Sequence, residues 1–352
     1  MEESSLEIAD RTPNLFIRPL VASRLAPAWI GLGVAIAWPL FVGLVHVVAD
    51  AVLGPVDLPY GPALFTWNVF VNGALLGLIL AGHAHLHLGA ISDLEQLGPI
   101  LPGNDAEFES LIRDVPNLSA PVRWLVTFLG MAGGLAIATL DPTLRDLYSN
   151  VSRSDPRYIV YVVQNVLFGA LGTRLFATEV HMTRAYARLG ERVSVDLLDL
   201  SLLMVFARKG LRSVMIWVLI SSAFSMFWVL DSAGQANALL PVAILVLVSM
   251  ALVAPTFGVH RSIAVAKTSE LALVAKAIQA ERDRALAPRH ADSPPEDARL
   301  SNLIQYHAFL KSLREWPFDL SIVARSALLV VVGAGSWLGG AIVERLLGVL
   351  LD

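Results

Sequence analysis

Three histidines, His83, His85 and His87, alternate along one apolar stretch, and imidazole nitrogens at close spacing are ligands for divalent transition metals. On a helix, residues two apart lie about 200° apart around the axis, so only His83 and His87 share a face. The chain has no cysteine, which removes thiolate ligands, disulfides and cysteine nucleophiles together. Asp93 and Glu95 follow the run, but nothing in the sequence fixes either as a further ligand. His83 and His87 therefore stand only as weak metal candidates beside a second reading, histidines at a membrane interface. No metal and no cofactor is expected.

A second set of chemically active residues lies inside apolar runs, where each polar group is costly. Asn68 and Asn72 fall on one helical face, and Gln164 and Asn165 sit together in a later run. Arg174 and Glu179 follow near the end of that run, and His46 lies in the first. Two readings stay open: amides that hydrogen-bond between helices, or groups lining a hydrated path. Arg174 either snorkels to an interface or pairs with an acid. The chain lacks an H-E-x-x-H, a G-x-S-x-G, a phosphate-binding loop and a dinucleotide fingerprint, so no enzyme activity is expected.

The elements that must position these groups are set by composition. Of 352 residues, 55% are hydrophobic and 16% charged, against about 25% charged in soluble domains. Such a chain lacks the charge to cover a soluble surface. The net charge of -4 excludes a nucleic-acid partner, which needs a basic stripe. Arg outnumbers Lys and Ala is abundant, as in a bacterial protein. A membrane-crossing helix needs about 20 mostly apolar residues. Seven stretches qualify: 27–48, 65–82, 122–140, 158–177, 211–230, 238–257 and 320–343.

The expected fold is therefore all-α, a polytopic membrane protein with seven transmembrane helices and cytoplasmic helical extensions. Its parts are a cytoplasmic arm (1–25, without an apolar signal segment), a six-helix transmembrane region (26–258), a cytoplasmic helical region (259–317), and a seventh span with an outer C-terminus (318–352). Basic residues set the orientation. They cluster in the arm (Arg11, Arg18, Arg24), after span four (Arg184, Arg188, Arg192, Arg208, Lys209, Arg212) and after span six (Arg261, Lys267, Lys276, Arg282, Arg284, Arg289). The N-terminus is expected inside a bacterial cytoplasmic membrane and the C-terminus outside.

Between the spans, 259–287 reads as a helix continuing from span six, 288–295 as a loop, and 297–316 as a second helix with an apolar stripe. Residues 193–207 are amphipathic and suit either an interfacial helix or an inward extension of span five. Trp316, Pro317, Phe318 and Asp319 form a hinge: Pro317 stops the incoming helix, and the aromatic residues suit the bilayer surface. The last span is rich in small residues. Gly335 with Gly339, and Ser336 with Gly340, are spaced for close helix approach. The same residues, with Val332, would line a pore if several copies gathered around an axis. Glu344 would then form an acidic ring favouring cations. Packing and pore lining both remain open.

Val195-Asp-Leu-Leu-Asp-Leu, Phe206-Ala-Arg-Lys-Gly-Leu-Arg, Arg314-Glu-Trp-Pro-Phe-Asp and Gly335-Ser-Trp-Leu-Gly-Gly-Ala resemble segments of uncharacterised bacterial multi-pass membrane proteins. In topology, the chain resembles the seven-transmembrane ion channels that include insect chemoreceptors. That resemblance implies a homotetramer joined through cytoplasmic helices, with 298–316 as the anchor and the last span as the pore helix. The expected function is an oligomeric, cation-preferring ion channel with the bilayer, small ions and copies of itself as partners. The alternatives are a secondary transporter or a membrane scaffold in signalling.

Overall fold

A computed structural model describes residues 26–55, 61–101, 103–140, 152–228, 250–286, 297–317, 324 and 328, and these contain helices and no strand. Among the described residues, eight α-helices run in chain order: α1 Pro27–Leu53, α2 Gly61–Leu97, α3 Asp105–Asp114, α4 Ala120–Leu140, α5 Pro156–Gly190, α6 Met204–Ser225, α7 Phe257–Leu286 and α8 Asp297–Ser312. The arm 1–25, most of span six, the loop 288–295, Phe318, Asp319 and the pore-lining set Val332, Gly335, Ser336, Gly339, Gly340 and Glu344 lie outside the described residues.

Among the described residues, four helices, α1, α2, α4 and α5, are long and apolar enough to cross a membrane. They match the first four expected spans. Helix α6 carries Arg208, Lys209 and Arg212 in its first turns. What remains apolar, 213–225, falls short of the roughly 20 residues a crossing needs, so a fifth span is not established among the described residues.

The helices turn their apolar side chains outward. Leu40, Leu44, Val47, Phe128, Leu129 and Ile137 are all more than half exposed, which only a hydrocarbon surround would tolerate over so large an area. Of the apolar stretch of α1 and of α4, 17% is buried, against 61% for α2, so α2 is the central helix. In lipid, apolar surface gives helices no reason to associate, so small residues and hydrogen bonds must do so. Helix α2 carries Gly73 and Gly77 four apart, and α4 carries Gly130 and Gly134. A methyl group at Gly77 would strike the Gly31 carbonyl of α1. One at Gly130 would strike the Gly169 carbonyl of α5, and one at Gly134 the carbonyl of Asn165. Pro39 inside α1 removes an amide, which frees the Ala35 carbonyl. Gly73 lies directly against that carbonyl and the proline ring.

At 37 and 35 residues, α2 and α5 are about 55 and 52 Å long, against about 30 Å of hydrocarbon. Their surplus length, with α3, the start of α6, α7 and α8, builds a second, non-lipidic body. The main apolar core lies here: Leu86, Leu94, Leu97, Ile112, Met182, Leu189, Phe206, Val259, Ile263 and Leu310 pack together. Gly190 and Gly258 let α5 and α7 cross with backbones in contact.

Three local structures depart from expectation. Helix α3 was not expected in the acidic loop after span two; Asn104 caps it, its side-chain oxygen accepting from the Glu107 amide at 2.9 Å. Residues 193–200 are not helical. Asp196 accepts from the Leu198 amide and Asp199 from the Ser201 amide, each at 2.9 Å, and such bonds compete with a helix. The helix then starts at Met204, so the inward extension of span five covers only the end of that stretch. Helix α8 stops at Ser312, four residues before the expected Trp316.

The glycine contacts predict a position-dependent outcome. Gly130→Leu should cost at least about 2 kcal/mol through overpacking, whereas Gly133→Leu, with open space around it, should change stability by less than about 0.5 kcal/mol. Thermal unfolding in detergent measures both.

Candidate functional site

Where the spans meet the helical body, charged side chains are buried between α2, α5 and α6. Lys209 of α6 is fully buried, and its Nζ donates to Glu179 Oε1 of α5 at 2.8 Å and to Ser213 Oγ at 2.6 Å. Thr183, one turn beyond Glu179, donates to the same carboxylate oxygen at 3.2 Å. Asp93 of α2 is equally buried. It accepts from the Tyr186 hydroxyl of α5 at 2.9 Å and pairs with the Arg212 guanidinium of α6. The Tyr186 ring meets Phe206 edge-on at 6.0 Å, and Lys209 Nζ lies 6.0 Å from its centroid.

The spacing explains why these groups meet. Lys209 and Ser213 are four apart, and Lys209 and Arg212 three apart, so all lie on one face of α6. Glu179, Thr183 and Tyr186 form the matching stripe on α5. Two cations and two anions cancel, and the three helices are held together by three different interhelical contacts. A charge buried without its partner costs several kcal/mol, so the pairs must form together.

The expected site residues distribute as follows. His83 and His87 are buried on one face of α2, whereas His85 lines an apolar groove between α1, α2 and α6. Neither the Nε2 of His83 nor either nitrogen of His87 has a hydrogen-bond partner of ordinary geometry, although the Pro116 carbonyl is near His87. Arg174 is buried within electrostatic reach of His83; it does not snorkel. A cation near His83 opposes a metal ion there, and among the described residues no three His, Asp or Glu side chains converge as ligands. Gln164 accepts from Trp38 Nε1 of α1 at 2.8 Å, the interhelical role expected of an intramembrane amide. Asn165 instead donates to the Tyr161 carbonyl within its own helix at 3.0 Å. Asn68 and Asn72 are half-buried on α2. Of the hinge, Trp316 and Pro317 are described, and Trp316 lies against α7.

Two charged clusters were not anticipated from the sequence. Lys209 and Arg212 entered the sequence analysis only as loop charges, and Asp93 only as a metal partner. The signal was present: Glu179 and Lys209 lie at the ends of facing apolar stripes, but nothing in the sequence pairs the stripes. The second cluster lies at the opposite ends of the spans. Asp155 caps α5, accepting from the Arg157 amide and its Nε, both at 2.9 Å, and Arg157 also binds Asp50 and the Gly54 carbonyl at the end of α1. The hydrogen bonds from Arg157 hold the Asp155 carboxyl below its ordinary range. The two clusters mark the two ends of the bundle. The end of α1 and the start of α5 meet at Arg157. The ends of α2 and α5 and the start of α6 meet at Lys209.

The chain matches no family model, no curated protein and no solved structure, so the site is interpreted from its own geometry. The buried pair predicts strong non-additivity. Lys209→Met alone should cost about 3–5 kcal/mol by leaving Glu179 uncompensated. The double variant Lys209→Met with Glu179→Leu should recover most of that loss. Unfolding titrations in mixed micelles measure the cycle, and simple additivity would show that the pair is not coupled.

Proposed function

We propose that the chain is a subunit of an oligomeric, cation-preferring ion channel whose pore is lined by the stretch 320–343. The observation that carries this reading is the helical body beyond the spans. Helix α7 packs along α5 and α8 folds back on α7, and the chain leaves this body at Trp316-Pro317, directly before its last apolar, glycine-rich stretch. A rigid body fused to the spans and joined to one further helix is the arrangement that assembly through the body and conduction along that helix require. Four identical subunits would place Gly335, Ser336, Gly339 and Gly340 at a common axis, with Glu344 as a ring of acids. The N-terminus then lies in the cytoplasm of a bacterial cell and the C-terminus outside.

A second reading, a secondary transporter, is favoured by a different observation. The Lys209–Glu179 pair, Asp93 and the buried His83 and His87 gather ionisable groups at the membrane boundary, and such groups mark ion or proton paths in transporters. On that reading, transport is driven by a gradient and saturates with substrate.

The two readings separate in a planar bilayer. The purified protein should give discrete cation currents, and Glu344→Gln should lower its cation-over-anion permeability ratio severalfold. Saturable uptake into vesicles without unitary currents would favour the transporter. Absence of both, with a monomer by mass, would contradict the channel.

A further inference from the structure

The hinge before residue 318 is not free. His260, in the first turn of α7, stacks its ring on Trp316 at 4.1 Å between centroids with the planes 7° apart. Its Nδ1 lies 3.0 Å from the Glu315 carbonyl. A carbonyl accepts only, so Nδ1 carries the proton and donates. Lys267, two turns further along α7, donates from Nζ to the Leu313 carbonyl at 2.8 Å and reaches the Glu315 carboxylate at 3.3 Å. The Leu313 carbonyl belongs to the unsatisfied end of α8, where a cation is favoured. His260 and Lys267 are seven apart, so they lie on one face of α7.

We propose that His260 and Lys267 form a releasable clasp that fixes the Leu313–Trp316 joint to α7, so that the hairpin of α7 and α8 sets the position from which the chain leaves for its last apolar stretch. The clasp is suited to release. Apart from the ring stack, the contacts that His260 and Lys267 make are hydrogen bonds and an ion pair; Arg314 and Glu315 are exposed, and of the joint Leu313 rests against the edge of the buried core. The body itself is held independently by Ile263, Val274 and Leu310. Opening the clasp would free the joint and leave the hairpin intact. This inference rests on the contacts around α7 and holds whether the protein is a channel or a transporter.

The absence of cysteine makes the test clean. Spin labels are placed singly at Arg314→Cys, in the joint, and at Asn302→Cys, on the exposed side of α8, in the full-length protein in lipid vesicles. In a His260→Ala, Lys267→Met background the ratio of mobile to immobile signal at position 314 should rise about tenfold, the effect of losing roughly two hydrogen bonds. Position 302 should not change. His260→Phe, which keeps a ring for stacking but cannot donate, should fall between. An unchanged signal at 314 would overturn the clasp. Equal mobilisation at 302 and 314 would also overturn it, because the two residues would then hold the whole hairpin and not the joint.

Discussion

A charge that leaves water must take its partner with it, and the Lys209–Glu179 pair shows how far that constraint organises this protein. The Lys209 side chain is 1% exposed and that of Glu179 6%. Neither could be buried alone, so α5 and α6 must meet in one register. The same register brings Arg212 to Asp93 and Asp93 to Tyr186, which adds α2. Once these three helices are fixed, the remaining positions follow. Helix α1 lies against α2 through Gly31 and Gly77, α4 against α5 through Gly130 and Gly169, and α7 against α5 through Gly190 and Gly258. Charge pairing selects the arrangement, and backbone contact between small residues holds it where the hydrophobic effect is weak.

The two regions of the molecule follow opposite rules. Within the spans, most large apolar side chains of α1 and α4 face outward, while Gly31, Gly73, Gly77, Gly130, Gly134 and Gly169 face neighbouring helices. Beyond the spans, Leu94, Met182, Phe206, Ile263 and Leu310 are buried as in a water-soluble protein. The buried charges lie at the boundary between the two. There the helices stop facing hydrocarbon, and Lys209, Glu179, Asp93, Arg212 and Tyr186 of α2, α5 and α6 pair with one another.

Much of this was legible in the sequence. Long apolar runs, a low charge content and helix stops located the starts of α1, α2, α4 and α5 to within four residues, but α2 and α5 run on to Leu97 and Gly190, well past the expected ends at 82 and 177; Gln164 takes the interhelical one of the two roles its sequence position left open. The sequence left the histidine run as helical or extended; the segment is helical, so His83 and His87 share a face and His85 does not. Other features depend on tertiary partners that a single sequence does not name. Lys209 and Arg212 look like loop charges until the helix is known to begin at Met204. Residues 193–200 have an amphipathic pattern, but Asp196 and Asp199 bond their own backbone instead. The small-residue pairs Gly73/Gly77 and Gly130/Gly134 were readable, yet weight fell on the glycines after residue 330, whose run is denser. Asn104 and Glu107 carried a visible cap for α3 that an acidic, short stretch obscured.

The arrangement as a whole requires that the Arg157 cluster and the helical body lie on opposite sides of a bilayer. In a protein without cysteine, single-site Ser154→Cys and Asn302→Cys variants report this directly through a membrane-impermeant maleimide added to intact cells. Both positions are exposed. Residue 154 should react in intact cells, and residue 302 only after the membrane is opened. Reaction of both sites from the same side would contradict the crossing of α5 and the separation of the two clusters on which the rest depends.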